Sequence, residues 1–95
     1  MGMSLLFAAS LLLAACGNIF SRTDFTTMVM DKSEEEVKSK AGKPAEIDAS
    51  NPDHVVWTYK LETFGEGNKR DDKTMVIFER KGPGGKLKVT NVQFG

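Results

Sequence analysis

The chain has 95 residues, enough for one domain, and its thirteen basic and thirteen acidic side chains leave no net charge. This balance excludes the basic excess that is typical of nucleic-acid-binding proteins. The charges are distributed unevenly, because residues 1–15 carry none and all of them lie beyond Cys16. Cys16 is the only cysteine, so an internal disulfide is excluded.

The uncharged N-terminal segment has the composition of an export signal. Its apolar run, residues 5–15, is well short of the roughly 20 residues that a membrane-spanning helix needs. The run ends in Leu13-Ala14-Ala15-Cys16, which resembles the bacterial lipobox. That resemblance implies that the Cys16 thiol accepts a diacylglyceryl group and that cleavage leaves Cys16 as the first residue. In lipoproteins, an aspartate directly after the cysteine retains the protein in the inner membrane. Because Gly17 follows Cys16 instead, the resemblance implies location in the outer membrane. An ordinary secretory signal and an uncleaved apolar anchor are the alternatives.

The exported part divides into a short tether and a folded domain. Residues 16–23 are predicted to be a lipidated polar tether, and residues 24–95 a single domain. Asp24 is predicted to cap a first helix of about two turns, in which Phe25, Met28 and Val29 share one face.

A second helix follows a break at residues 31–32. Ser33 and Glu36 have the spacing of a capping box, and Gly42 lies where the helix should end. Val37 and Ala41 are its predicted inward positions.

Three strands are predicted in the second half of the chain, over residues 55–61, 73–80 and 86–94. A change of phase in the last strand predicts a bulge near Asn91, and the glycine-rich residues 82–85 predict a turn before it. In the first strand, the side chains predicted to face the core are Val55, Trp57, Tyr59 and Leu61. The predicted fold is α+β, with two short helices packed on a three-stranded antiparallel meander.

The connection between the first two strands, residues 62–72, is charged, contains glycine and is longer than a hairpin needs. Such a connection is either a mobile segment or a contact site. Phe64 within it is the candidate contact residue.

Four short motifs behind the lipobox-like signal resemble those of the SmpA/OmlA (BamE-like) family in order and spacing. They are residues 33–37, Gly42-Lys43-Pro44, Trp57-Thr58-Tyr59 and Val76-Ile77-Phe78. The resemblance implies an ααβββ domain of a periplasm-facing outer membrane lipoprotein that supports the assembly of β-barrel proteins. Relatives with this fold also include stress-related lipoproteins. Asp31-Lys32 stands where the family usually places a glycine before the helix-capping serine or threonine.

No pattern in the sequence predicts catalysis or a cofactor. The acidic residues 34–36 suggest a metal or acid–base cluster, but a helix macrodipole favours carboxylates in the first turn. His54, the only histidine, lies at a strand entrance and is expected to be a surface residue. Trp57 and Tyr59 are expected in the core, with a ligand pocket as the alternative. Three classes therefore remain open: a protein-binding scaffold, a small inhibitor-like or ligand-binding lipoprotein, and an enzyme.

The second predicted strand is apolar on both faces. By the family pattern Val76 and Phe78 face the helices, so Met75 and Ile77 should point outward. Two exposed apolar side chains with a polar rim are typical of a protein contact. Met75, Ile77 and Phe64 are thus the predicted partner-binding residues, and the rim is predicted from Thr58, Lys60, Lys88 and Thr90.

Overall fold

The computed structural model describes residues 19–95, which form two helices, a four-stranded antiparallel sheet and a short parallel strand pair. The elements in chain order are β1 (Phe20–Ser21), α1 (Arg22–Val29), α2 (Glu34–Ala41), β2 (Glu46–Asn51), β3 (His54–Tyr59), β4 (Thr63–Phe64), β5 (Thr74–Arg80) and β6 (Leu87–Phe94). The sheet has the strand order β2-β3-β5-β6, and β1 pairs with β4. The predicted α+β class with two helices and an antiparallel sheet is confirmed.

The first helix starts earlier than predicted. Ser21, and not Asp24, is its N-cap, and the Ser21 side chain accepts a hydrogen bond from the Asp24 backbone N–H at 3.1 Å. The predicted tether was also too long, because Phe20–Ser21 already belongs to the fold through β1. Phe25 and Val29 are fully buried, as the helical spacing predicted.

The second helix has the predicted bounds and caps. The Ser33 hydroxyl accepts from the Glu36 N–H, and the Ser33 N–H donates to the Glu36 carboxylate at 3.2 Å. Gly42 ends the helix at a φ of 83°, in the left-handed region that glycine tolerates best. Val37 and Ala41 are buried, as predicted.

The sheet has one strand more than predicted. Strand β2 pairs antiparallel with β3, so the three-stranded prediction was wrong. All six residues of β2 are exposed because it lies at an edge of the sheet. Without buried side chains, β2 lacks the alternation of apolar and polar residues that identifies a half-buried strand in a sequence.

The core lies between the helices and one face of the sheet. Its buried side chains come from both helices and from β3, β5 and β6; they are Phe25, Val29, Val37, Ala41, Val55, Trp57, Tyr59, Val76, Phe78 and Val89. The register of β6 shifts between Asn91 and Val89, which confirms the predicted bulge. Leu87 and Val92 therefore both pack against the core although they lie on opposite sides of the bulge.

The prediction that Leu61 faces the core was wrong. It follows the end of β3, is 49% exposed and has a φ of 59°. A left-handed conformation costs a residue with a Cβ on the order of 1–3 kcal/mol. The chain turns at Leu61 and so directs its side chain away from the core.

Candidate partner-binding surface

Strand β5 presents two apolar side chains on the face of the sheet that is turned away from the helices. Thr74, Val76 and Phe78 are buried, whereas Met75 and Ile77, which alternate with them, are half-buried. The structure therefore brings two of the predicted partner-binding residues together on one face.

Val56 on the neighbouring strand extends this surface. It pairs with Ile77, and Thr58 pairs with Met75, so all four side chains share one face. Val56 is half-buried. We call Val56, Met75 and Ile77 the apolar stripe. Sequence reasoning missed Val56, although the alternation of β3 places it opposite the core-facing Val55 and Trp57.

The polar rim of the apolar stripe differs from the predicted one. On the β6 side, Asn91 pairs with Ile77 and Gln93 pairs with Met75. The predicted rim residue Lys88 instead pairs with Glu79, because the bulge shifts the register. On the β3 side, strand β2 lies beyond the stripe and pairs Asp48 with Val56. The predicted Lys60 lies beyond β3, at 3.8 Å from the Glu46 carboxylate.

Hydrogen bonds hold the carboxylates of this rim in their charged form. The Ser50 hydroxyl and N–H donate to Asp48 at 2.7 and 3.1 Å and lower its pKa. A hydrogen bond from the Thr90 hydroxyl lowers the pKa of Glu79, whose carboxylate also lies 3.5 Å from the His54 ring nitrogen. The apolar stripe is thus bordered by acidic groups towards β2 and by neutral amides towards β6.

Phe64, the third predicted residue, lies elsewhere. It is half-buried on β4, in the strand pair with β1, and lines a shallow cleft of about 430 Å³ with Ser21, Arg22 and Thr23. Phe64 therefore does not lie on the four-stranded sheet that carries Met75 and Ile77.

A partly buried polar network holds the segment that carries Phe64. Arg22 donates two hydrogen bonds to the Asp71 carboxylate, at 2.5 and 3.1 Å, and the Thr63 hydroxyl donates a third at 2.8 Å. The single Thr63 hydroxyl proton is thereby used, so Thr74, whose hydroxyl is 2.5 Å away, must donate to Thr63. Thr63 and Thr74 are fully buried, and Asp71 is 5% exposed.

The network is accompanied by backbone contacts that join residues 62–72 to the rest of the fold. The segment pairs with β1 through Thr63–Phe64, and Asp71 N–H donates to the Thr63 carbonyl at 2.8 Å. Gly65 leaves room for the arginine, since a Cβ there would lie 3.0 Å from the Arg22 guanidinium carbon. The segment is thus held to the rest of the fold at Thr63, Phe64 and Asp71.

The Asp71 carboxylate is expected to make stability depend on pH. The Arg22 hydrogen bonds, followed by the Thr63 bond, lower its pKa against the opposing effect of burial. A carboxyl with a lowered folded-state pKa stabilises the protein above its unfolded pKa, and that contribution is lost as the pH falls through the folded value. Asp71→Asn should therefore cost about 1–3 kcal/mol at neutral pH, and this deficit should shrink in acid.

Thermal denaturation of the Asp71→Asn variant between neutral pH and pH 3 measures this effect. Asp72→Asn is the matched control, because Asp72 is an exposed neighbouring carboxylate. A deficit that does not change with pH would contradict the charge-dependent role of Asp71.

The aromatic residues of β3 belong to the core. Trp57 is 5% and Tyr59 is 1% exposed, so the ligand-pocket alternative for this pair was wrong. The Tyr59 hydroxyl donates to the Gly42 carbonyl at 2.8 Å, and burial raises the pKa of Tyr59. His54 lies exposed at the start of β3, as predicted for a surface residue.

Two further features concern only the part of the chain that the structure describes. Within residues 19–95 no group of three or more His, Cys, Asp or Glu side chains is placed to hold a metal ion. None of the helices in the same range is long and apolar enough to cross a bilayer. Cys16, the predicted lipidation site, lies outside the described residues.

No family model, no curated protein and no solved structure matches the chain. Membership of the SmpA/OmlA family therefore remains a proposal that depends on the order and spacing of the chain's own motifs.

Proposed function

We propose that the protein is a lipid-anchored, periplasm-facing outer membrane lipoprotein that binds a protein partner as a non-enzymatic scaffold or assembly factor. The observation that carries this proposal is the apolar stripe on the sheet face turned away from the helices. Val56, Met75 and Ile77 are half-buried there in a domain whose helices cover only the other face. Apolar side chains that remain accessible on a small domain favour a protein contact.

The anchoring part of the proposal is supported by the sequence. Leu13-Ala14-Ala15-Cys16 has the residue types that lipoprotein processing needs, since small residues admit the peptidase and the thiol accepts the lipid. Two or three acyl chains bind a bilayer firmly, whereas one chain binds only marginally.

The backbone at Asp31 supports the family assignment. Asp31 has a φ of 64°, a conformation that glycine adopts most easily and aspartate tolerates. With Lys32 it stands where the SmpA/OmlA pattern has a glycine. The N–H of Asp31 donates to the Val89 carbonyl and Val89 N–H donates to the Lys32 carbonyl, each at 3.0 Å, so this turn joins the helices to β6. A left-handed residue in this turn is compatible with a glycine in the family pattern.

The surroundings of the apolar stripe indicate the chemistry of the partner. Asp48 and Glu46 border the stripe on one side, and Asn91 and Gln93 border it on the other. A partner segment that presents apolar side chains, with a basic residue towards β2, complements this surface. By the family resemblance, that partner belongs to the machinery that assembles β-barrel proteins in the outer membrane.

Replacement of both Met75 and Ile77 by threonine tests the partner-binding role. Threonine favours β structure, so the strand should be retained while apolar contact area is removed. Burial of each side chain's apolar area should contribute about 1 kcal/mol to the free energy of binding. Loss of both contributions should lower partner capture from solubilised membranes by about tenfold or more. The melting temperature should stay close to that of the wild type.

Ile47→Thr is the matched control for this experiment. Ile47 is 58% exposed in the same sheet, but it pairs with the core-facing Trp57 and not with the apolar stripe. Capture should be unchanged by this control. A folded Met75→Thr/Ile77→Thr variant that captures its partner normally would refute the role of the stripe.

A further inference from the structure

Two large apolar side chains protrude at one end of the β1–β4 strand pair. Ile19 is 43% exposed and Leu61 is 49% exposed. The two strands are parallel, and the N–H of Phe20 donates to the Glu62 carbonyl at 3.0 Å. Ile19 precedes Phe20 and Leu61 precedes Glu62, so both lie where the strands begin. We call these two residues the apolar pair.

This end of the molecule is the one nearest the proposed lipid anchor. Only Gly17 and Asn18 separate Ile19 from Cys16. Three peptide units of 3.8 Å limit the distance between the Cα atoms of Cys16 and Ile19 to about 11 Å. The lipid on Cys16 lies at the membrane surface, so Ile19 cannot move far from the headgroup layer.

The backbone at Leu61 directs an apolar side chain into this surface. Its φ of 59° is unfavourable for leucine, and an asparagine or glycine would adopt it more easily. The strained residue nevertheless carries a large apolar side chain that is exposed. A bilayer would cover that side chain, whereas water leaves it without apolar contacts.

We propose that the apolar pair inserts into the interface of a lipid bilayer and thereby orients the domain on the membrane. This inference depends on the proposed lipidation of Cys16. The acyl chains attach the domain, and Ile19 with Leu61 adds a second point of contact that stops the domain from rotating freely about the tether. The interaction is apolar in origin and needs no anionic lipid.

The orientation places the rest of the domain at a defined distance from the membrane. Strand β3 ends at Tyr59, close to Leu61 in the chain, and begins at His54. Antiparallel pairing aligns the Arg80 end of β5 with the start of β3, so the following turn at Pro83 lies at the far end of the sheet. Pro83 should therefore remain in water.

Fluorescence quenching on the full lipidated chain tests this orientation. Because the lipid consumes the only native thiol, a cysteine introduced at position 18, 60 or 83 can be labelled alone while Ile19 and Leu61 are retained. The chain is reconstituted in neutral phosphatidylcholine vesicles and exposed to iodide, a water-soluble quencher. Labels at positions 18 and 60 should be quenched several-fold less than the label at position 83.

A second variant separates insertion of the apolar pair from simple proximity to the anchor. Leu61→Asn suits the left-handed backbone and removes the apolar side chain. It should restore quenching of a label at position 18. Ile47→Asn removes an isoleucine that is 58% exposed and lies outside the apolar pair, so it should leave that quenching low.

Each other outcome overturns the inference in a recognisable way. Equal quenching at positions 60 and 83, in a chain whose mass includes the acyl chains, overturns membrane orientation alone. Absence of the acyl mass overturns the proposed lipoprotein function together with this inference. Protection that requires an anionic lipid, or that depends on protein concentration and not on vesicles, would assign the surface to charge attraction or to a second copy of the chain.

Discussion

Replacement of Trp57 by alanine is expected to unfold most of the domain at physiological temperature. Trp57 is 5% exposed, and its ring centroid lies 4.8 Å from that of Phe78, which is fully buried. Deletion of a buried tryptophan side chain costs about 3–5 kcal/mol. A domain of this size without disulfides has a stability of only a few kcal/mol, so the loss is comparable with the whole. Circular dichroism and thermal denaturation measure the effect.

Trp57→Phe provides the matched control for this prediction. The indole N–H of Trp57 is buried and finds no acceptor among the described residues, so phenylalanine removes a polar group that is not hydrogen-bonded. Trp57→Phe should therefore remain folded, because the cavity that it leaves is smaller than the cavity left by Trp57→Ala. A Trp57→Ala variant with a nearly unchanged melting temperature would show that the side chain does not contribute to the core.

Replacement of Cys16 by serine is expected to abolish lipidation and to release the domain from the outer membrane. The serine hydroxyl cannot accept the diacylglyceryl group as a thioether, so processing should stop before lipidation. Each buried methylene contributes about 0.8 kcal/mol to anchoring, so loss of two or three acyl chains removes the membrane affinity that the lipid supplies. Mass spectrometry of the purified chain and fractionation of membranes measure both effects.

Gly17→Asp is the matched variant for the location of the anchor. It retains Cys16 and should still be lipidated, but the sorting rule for lipoproteins predicts that aspartate after the cysteine holds the chain in the inner membrane. A Cys16→Ser variant that still fractionates with outer membranes, beside a wild type without acyl mass, would contradict the lipoprotein proposal.

The helices were the most predictable part of the fold, because their signals are local. The spacing of Phe25 and Val29, and the capping box of Ser33 with Glu36, act within one or two turns. The N-cap of α1 was misplaced because Ser21 and Asp24 are both good capping residues. Only the pairing of Phe20–Ser21 with β4 places the helix start at Arg22.

Strands with one buried face were predicted correctly, whereas the strand without a buried face, β2, was missed. Trp57 and Tyr59 alternate with polar or exposed positions, so β3 was recognisable. Strand β2 contains Ile47 as its only large apolar residue, and its position in the sheet depends on hydrogen bonds to β3. Edge strands carry little side-chain information because both of their faces can be solvated.

The candidate site was predictable only in part. The outward direction of Met75 and Ile77 was predicted from the family pattern, because β5 is apolar on both faces and its alternation alone does not choose between them. Val56 joins them through cross-strand register, and the rim depends on the bulge that shifts β6. Phe64 was grouped with Met75 and Ile77 because its exposure was inferred from composition, and composition carries no information on which sheet a residue joins.

By itself, the sequence determined the second helix with its caps, the buried face of the first helix, the inward face of β3, and the lipobox-like motif at Cys16, because these depend on neighbours a few residues apart. The tertiary structure decided the features that join distant parts of the chain. Arg22 and Asp71 are 49 residues apart, yet their ion pair joins residues 62–72 to the first helix. Ile19 and Leu61 lie at the same end of one strand pair only because β1 and β4 pair. Such contacts form when the whole chain folds, since the burial of the shared core selects one pairing among many that the local sequence permits.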